Sequence, residues 1–226
     1  MGSIFPPLQK PSVRAITFTA ESIRKIDLGC KTQTRRVIYP PPAECDLVQD
    51  PRTPLKWRPA GGAKSPLSWR IPYGIVGDRL WIRQVWARVE PNPTASEDFR
   101  MPVAWRVEQN PVLLDYWRKR VIFLSDHPGK MPRQCDCGVT DNAWRSPVTM
   151  PRWAARQWLR ITGLRAERLQ MISAEDAIAE GAQTIEAFAL LWDRINGSTH
   201  PWASNPWVWR IEFEKSDGLR ALQSAD

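Results

Sequence analysis

Residues 158–169 read WLRITGLRAERL, and this stretch decides the fold class. Apolar and polar residues alternate along it, which predicts a β-strand, and Gly163 in its middle predicts a bend. Residues 207–213, WVWRIEF, alternate in the same way and predict a second strand. The sequence between these two strands predicts helices, so the last third of the chain indicates an α+β fold.

The two helices between the strands are marked by their ends. Ser173 and Asp176 have the spacing of a capping box, and Gly181 supplies a left-handed stop, so we predict a helix over residues 174–180. Residues 184–195 carry an apolar stripe at helical spacing and predict a second helix.

Working outward toward the N-terminus, the same patterns predict a strand over 13–18, a helix over 20–28 that stops at Gly29, and a β-rich stretch over 31–38. A further strand is predicted over 79–87. Two Pro-rich insertions without periodicity lie near 40–72 and 90–150. The expected organisation is an N-terminal extension over 1–12, a single domain over 13–215 and a frayed tail over 216–226.

The composition favours an anionic partner. Thirty-two Lys and Arg residues outweigh 24 Asp and Glu, which gives a net charge of +8, and the chain has 13 Trp. Arg binds phosphates and stacks on bases, while Trp either packs in the core or provides a stacking surface for bases. No apolar run approaches the length of a membrane-spanning helix, and Pro6 and Pro7 interrupt the start where a signal peptide would be apolar. We therefore predict a cytoplasmic protein with no membrane partner.

Cysteine and histidine exclude several classes of site. The four Cys are expected to be reduced thiols, and Cys135 and Cys137 have the wrong spacing for a zinc knuckle. The two His stand beside no candidate nucleophile, so a Ser-His-Asp hydrolase is poorly supported. We expect no metal and no cofactor.

Five segments together carry a resemblance to a known family. They are residues 28–36 (LGCKTQTRR), 77–83 (GDRLWIR), 150–154 (MPRWA), 172–181 (ISAEDAIAEG) and 205–209 (NPWVW). In these segments the chain resembles the ASCH-domain proteins of phages and prophages. The resemblance implies a PUA-like β-barrel flanked by short helices, a fold associated with RNA binding.

The resemblance also implies a reaction. Small bacterial ASCH proteins are amidohydrolases that act on N4-acetylcytidine and related N4-acylated cytosines. Their Gly-x-Lys-x-x-Thr segment, which holds the catalytic lysine and threonine, matches Lys31 and Thr34, and their catalytic glutamate matches Glu180. The chain departs from the family at Cys30, where an arginine is common, and at Gln84, where a glutamate is usual; the second change bears on the substrate contacts.

Hydrolysis of an exocyclic amide needs a nucleophile, a group that moves protons and donors for the oxyanion. Thr34, or a water that it positions, would attack the acyl carbon, while Lys31 and Glu180 share the proton transfers. Arg36 or a backbone N–H could hold the oxyanion. The expected substrate-binding residues are Gln33, Arg36, Arg83, Trp81 and Trp153.

The spacing of Lys31 and Thr34 places one geometric condition on this mechanism. Residues three apart in an extended strand point to opposite faces, so Lys31 must lie in the turn after Gly29 if its amine is to meet the Thr34 hydroxyl.

Two alternatives remain open. Lys31 and Glu180 could form an ordinary ion pair. The arginines expected to be solvated or to face phosphate are Arg35, Arg83, Arg152 and Arg156. The tryptophans expected in a wall or core, with one of them able to stack on a pyrimidine, are Trp81, Trp153, Trp207 and Trp209. The chain could then be a non-catalytic RNA-binding protein or reader of modified bases, because its charge suits that role equally. A phage assembly role has no support in the residues. The expected partner is a nucleoside or base, with RNA as a second candidate and no obligate protein partner.

Overall fold

The computed structural model describes residues 11–42, 46–60, 68–90, 114–115, 118, 121–126, 134–135, 138–140 and 144–217. Its strands, in chain order, are β1 (Val13–Thr17), β2 (Gln33–Val37), β3 (Leu47–Gln49), β4 (Lys56–Pro59), β5 (Trp69–Arg70), β6 (Arg79–Arg83), β7 (Trp86–Glu90), β8 (Val121–Phe123), β9 (Gln134–Cys135), β10 (Gly138–Thr140), β11 (Trp158–Arg168) and β12 (Trp207–Ser216). Its α-helices are α1 (Ala20–Asp27), α2 (Ala174–Ala179) and α3 (Ile185–Asn196).

A five-stranded sheet with the order β1-β6-β11-β12-β2 forms the centre of the molecule. Strands β1 and β6 are parallel, and the other neighbours are antiparallel. The inward positions of these strands are apolar and buried, among them Ile16, Ile82, Leu159 and Ile211. The predicted α+β class is confirmed.

One side chain links the two edge strands of this sheet, β1 and β2. Arg36 of β2 donates from Nη2 to the Thr17 carbonyl of β1 at 2.5 Å. No ladder of backbone hydrogen bonds joins β1 to β2 in the described part of the chain, so the sheet does not close into a barrel. The gap between the two edges holds the cavity described below.

The segment near 40–72 contains more structure than predicted. Its described residues form a three-stranded antiparallel sheet, β3-β4-β5. Trp57 and Trp69 are buried, and the Trp57 ring packs edge-on against Trp209 at 5.2 Å between centroids. The prediction of an irregular insertion is wrong here because strands of two to four residues are too short to show periodicity, and tryptophan packing holds them in place.

The predicted strand over 79–87 is in fact two strands in different sheets. The chain leaves the central sheet after β6, and β7 pairs with β8 and β10. At the break, the backbone N–H of Gln84 donates to Met150 Sδ at 3.4 Å. The side-chain oxygen of Gln84 accepts a hydrogen bond from the Ser125 hydroxyl at 2.7 Å. The alternation of apolar and polar residues continues from β6 into β7, so the sequence does not show where one strand ends and the other begins.

Much of the second insertion, 90–150, lies outside the described residues, but its described part includes β8, β9 and β10.

The C-terminal third agrees with its prediction. Strand β11 shifts register between Ile161 and Gly163, where the bend was expected. The Ser173 hydroxyl accepts from the Asp176 amide and caps α2, and Gly181 has φ +82. Helix α3 begins after its Thr184 cap and packs with α2 against the sheet through Phe188, Trp192 and Val208.

Most of the two predicted terminal segments cannot be compared with the structure, since residues 1–10 and 218–226 are outside the described ranges. Within those ranges, no helix has both the length and the apolar character needed to cross a membrane.

Candidate functional site

A cavity of about 510 Å³ lies between the edge strands of the central sheet and helix α3. Its polar wall is built by Lys31, Thr34, Arg35, Arg36 and Glu180, and its apolar wall includes Phe18, Tyr73, Phe188, Leu191 and Trp192. The three residues predicted to be catalytic, Lys31, Thr34 and Glu180, therefore line one cavity although 149 positions separate the first from the last.

Lys31 lies in the loop that precedes β2 and not in the strand. Gly29 at φ +74 turns the chain, and the Lys31 amide donates to the Lys25 carbonyl at 3.2 Å. The next residue, Thr32, donates its amide to the Ala179 carbonyl at 2.8 Å, which ties this loop to the end of α2. The geometric condition is met because the strand begins only at Gln33.

The Lys31 amine and the Glu180 carboxylate form a buried pair. Lys31 Nζ donates to Glu180 Oε2 at 2.5 Å and to the Glu180 backbone carbonyl at 2.7 Å. The side chains are 5% and 4% exposed. Glu180 caps the C-terminal end of α2, and Gly181 directly after it adopts the left-handed conformation that ends the helix. The short helix thus fixes both acceptors of the lysine.

Burial lowers the pKa of Lys31 below its ordinary value of 10.5. Removing the ammonium from water is the largest cause, and the positive charges of Arg36 and Lys25 act in the same direction. Glu180 opposes these effects by attraction and hydrogen bonding, which raise the pKa. The result is an amine that gives up its proton more readily than a solvated lysine, as a general base requires.

Thr34 lies on β2 opposite Ile211 of β12 and is 5% exposed. Its hydroxyl forms no hydrogen bond to another residue in the described ranges, although its neighbours along the strand are tightly bound. A buried hydroxyl at a cavity wall is free to contact a ligand.

Behind the cavity, Arg35 is the centre of a buried ionic network. Its guanidinium contacts Glu167 at 2.7 Å, Asp176 at 2.8 Å and Glu180 at 3.3 Å, and its side chain is 0% exposed. Arg210 adds a second cation on Asp176 at 2.9 Å. The expectation that Arg35 is solvated is wrong, because carboxylates from β11 and α2 enclose it.

Gln33 belongs to this network and does not line the cavity. It accepts from Arg35 Nη1 at 2.6 Å and donates to Asp176 at 3.2 Å. Burial acts to raise the pKa of Asp176, but the hydrogen bond from Gln33 and the attraction of Arg35 and Arg210 outweigh it, so the pKa is lowered. Gln33 thus orients buried charge, a different position from the substrate contact that was predicted.

Replacing Arg35 with methionine should lower the free energy of unfolding by about 3–5 kcal/mol, because three carboxylates would lose a buried cation. Urea unfolding measures this change. Arg160→Met is the matched control, since the Arg160–Glu214 pair also joins two strands but its side chains are 50% and 53% exposed; less than about 1 kcal/mol is expected. Equal losses in the two variants would contradict the assigned role of the network.

Arg36, predicted to bind substrate, does line the cavity. The guanidinium lies over the Phe18 ring at 5.1 Å from its centroid, next to the Thr17 carbonyl that it contacts. Burial lowers the pKa of Arg36, while Tyr73 and Glu180 raise it.

The other three predicted binding residues are not brought to the cavity. Trp81 and Trp153 are 6% and 0% exposed and belong to a core cluster around Trp158. Arg83 lies over the Trp81 ring at 4.8 Å from its centroid. Trp81 and Arg83 lie on β6, the neighbour of β1, and Trp153 lies in the segment before β11, but none of the three lines the cavity. The resemblance identified the sequence segments that contain these three residues, but it gave no information on how far their side chains lie from the site.

Sequence reasoning missed the aromatic wall and the carboxylates of the network. Phe188 and Trp192 belong to the predicted apolar stripe of a helix, a pattern that usually indicates core, and both also border the cavity. Tyr73 follows an insertion and had no periodic signal. Glu167 and Asp176 each stand beside another charged residue in the sequence, so only the fold identifies them as partners of Arg35.

Comparison of the chain with protein-family models, curated proteins and solved structures gave no match in any of the three. The described residues contain no group of three or more His, Cys, Asp or Glu arranged to hold a metal ion.

Proposed function

We propose that this protein is an amidohydrolase that removes the acyl group from N4-acylated cytosine or cytidine. The observation that carries the proposal is the meeting of a buried Lys31–Glu180 pair and the Thr34 hydroxyl at one cavity wall. These are the groups that hydrolysis of an exocyclic amide requires: a hydroxyl to attack and two residues that exchange a proton.

In the first step, the neutral Lys31 amine takes the proton of the Thr34 hydroxyl, or of a water bound to it, as the oxygen attacks the acyl carbon. The carbonyl π electrons move to its oxygen and give a tetrahedral oxyanion. The new Lys31 ammonium is a buried cation beside this oxyanion and stabilises it.

In the second step, the oxyanion collapses and the bond between the acyl carbon and N4 breaks. The proton held between Lys31 and Glu180 passes to N4, so cytosine leaves as a neutral amine. Where Thr34 is the nucleophile, water then hydrolyses the threonine ester by the same proton route and releases the carboxylic acid. No redox partner is needed.

We further propose that the chain is a cytoplasmic ASCH-domain protein and that its central sheet is a PUA-like barrel left open between β1 and β2. The contact of Arg36 with Thr17 supports this, because it joins the two strands at which a barrel would close. The cavity in the gap between β1 and β2 would then be the ligand-binding site of the open barrel.

The direct test is incubation of the pure protein with N4-acetylcytidine while the ultraviolet spectrum is followed to that of cytidine. Turnover at catalytic concentrations of protein is expected. A protein of native circular dichroism that leaves acetyl, isobutyryl and benzoyl derivatives of cytidine intact would contradict the proposal.

A non-catalytic RNA-binding protein or reader of modified bases is the second candidate, and the net charge of +8 with 24 Arg supports it. Affinity for RNA that falls steeply with salt, together with no turnover of any N4-acylcytidine, is the result expected for this reader.

The pH dependence of kcat/KM tests Lys31 as the base. The rate should rise with pH as the amine becomes neutral, with an inflection below 10.5 because burial lowers the pKa of Lys31. In Glu180→Gln the inflection of the residual rate should move to lower pH, since the carboxylate is the main group that raises this pKa. An inflection that stays in place would show that another group titrates.

A further inference from the structure

The cavity wall carries an excess of positive charge. Of its charged residues, Lys31, Arg35 and Arg36 are cations and Glu180 is the carboxylate. Lys31 is paired with Glu180, and Arg35 is enclosed by Glu167, Asp176 and Glu180. Arg36 is the cation of this wall without a carboxylate partner, because no carboxylate of the described residues comes within 4 Å of its guanidinium.

The contacts of Arg36 leave its charge unbalanced. They are the neutral Thr17 carbonyl and the face of the Phe18 ring, and its Nε is buried without a hydrogen-bond partner in the described part of the chain. A half-buried cation with an unsatisfied N–H is unfavourable unless an anion accompanies it.

Hydroxyl groups surround the same corner of the cavity. Thr19 and Ser22 line it, and Thr19 caps the first turn of α1, a helix of eight residues. The acidic residue of that turn, Glu21, is paired with Lys25 and Arg194 and is not part of this cavity's wall. Thr19 donates its hydroxyl to Ser22 Oγ at 3.1 Å, which leaves the Ser22 hydroxyl as the donor for a ligand. The corner therefore combines a guanidinium, this hydroxyl and the positive end of a helix, which together suit an oxyanion.

This corner is separate from the reacting groups. Thr34 and Arg36 lie on the same face of β2, two residues and thus about 6.6 Å apart along the strand. The Arg36 guanidinium is held at Thr17 of β1 and forms no hydrogen bond or ion pair with Lys31 or Glu180, although its charge acts on the pKa of Lys31. An oxyanion bound here would belong to a part of the substrate that does not react.

We infer that the cavity binds a phosphorylated substrate, an N4-acylated cytosine nucleotide, with Arg36 holding its phosphate. The inference rests on the proposed deacylase function and names its substrate class. A cavity of about 510 Å³ is of the size that encloses one small ligand, which favours a mononucleotide over a strand of RNA.

Binding of reaction products tests the phosphate site without any turnover. By calorimetry, wild type should bind cytidine 5′-monophosphate about 10- to 100-fold more tightly than cytidine, which is the range of one or two charge-assisted hydrogen bonds. Arg36→Met should remove this difference and leave the affinity for cytidine within about threefold, while Arg36→Lys should keep part of it.

Arg168→Met is the matched control. Arg168 is also half-buried, lies over an aromatic ring, Trp207, at 4.9 Å and donates to one backbone carbonyl, that of Asn205, but it does not line the cavity. This variant should bind both products as wild type does. Thermal unfolding of all variants separates loss of the site from loss of the fold, and Arg36→Lys serves where Arg36→Met does not fold.

The outcomes separate the two hypotheses. Wild type that binds the monophosphate no more tightly than cytidine overturns the phosphate site, whether or not N4-acetylcytidine is hydrolysed. Tight binding of the monophosphate without hydrolysis of its N4-acetyl derivative overturns the deacylase and keeps the phosphate site. A loss of kcat in Arg36→Met that is equal for acylated nucleoside and nucleotide would assign Arg36 to the reaction oxyanion instead. Preference for the dinucleotide cytidylyl-cytidine over the monophosphate would overturn the mononucleotide in favour of RNA.

Discussion

Thr34→Val is expected to lower kcat for N4-acetylcytidine by on the order of 10³-fold or more, because removal of a nucleophile leaves only binding and electrostatic assistance. Valine has the shape of threonine and favours strands, so β2 should keep its pairing with Ile211. Stopped-assay kinetics under saturating substrate measure the change, and a thermal melt shows whether the fold is kept.

Thr34→Ser is the matched control for this prediction. It keeps a hydroxyl at the same strand position and should retain much of the activity. If valine and serine lose activity equally, the shape of the side chain matters and its hydroxyl does not, and the role of Thr34 in attack would be wrong. A covalent acyl-enzyme detected by mass spectrometry in wild type would distinguish direct attack from attack by a positioned water.

Glu180→Gln is expected to lower kcat by about 10²- to 10⁴-fold, the range for a group that transfers protons in the transition state. Glutamine keeps the shape of the side chain, and Lys31 keeps its bond of 2.7 Å to the backbone carbonyl of residue 180. Arg35 keeps Glu167 and Asp176. The fold should therefore survive while the proton pathway does not.

Glu167→Gln removes one carboxylate from the same network and is the control for Glu180→Gln. Glu167 contacts Arg35 at 2.7 Å, has a side chain 11% exposed and does not line the cavity. A modest loss of stability with near-normal kcat is expected. Equal kinetic losses in both variants would mean that the network acts through the fold, and that Glu180 is an ordinary member of an ion pair.

Local signals predicted the C-terminal third well. Alternation identified β11 and β12, the Ser173 cap and Gly181 bounded α2, and the apolar stripe identified α3. Each of these signals acts within a few residues, so the sequence contains it in full. The two insertions were predicted less well, since strands as short as β5 and β9 depend on partners and not on their own periodicity.

The sequence was sufficient to choose candidate residues for the site, but it could not show which of them lie together in the folded chain. Lys31, Thr34 and Glu180 followed from a resemblance in short motifs, whereas Trp81, Trp153 and Arg83 came from equally persuasive segments and lie elsewhere. The sequence predicts Arg35 in solvent or facing phosphate, whereas carboxylates enclose it in the structure and its side chain is 0% exposed. A motif specifies which side chains are near each other in the chain and gives no information on the opposite wall of a cavity.

The sequence alone determined the α+β class, the capped helices and the excess of positive charge, and it left open whether Lys31 lies in the turn before β2. Only the tertiary structure decided that Glu180 meets Lys31, that carboxylates neutralise Arg35 and that Arg36 faces the cavity without one. The physical reason is range. Helix caps, turns and alternation are set by neighbouring residues, while burial, pKa and ion pairing depend on contacts between segments more than 100 residues apart, as in the 149 positions between Lys31 and Glu180.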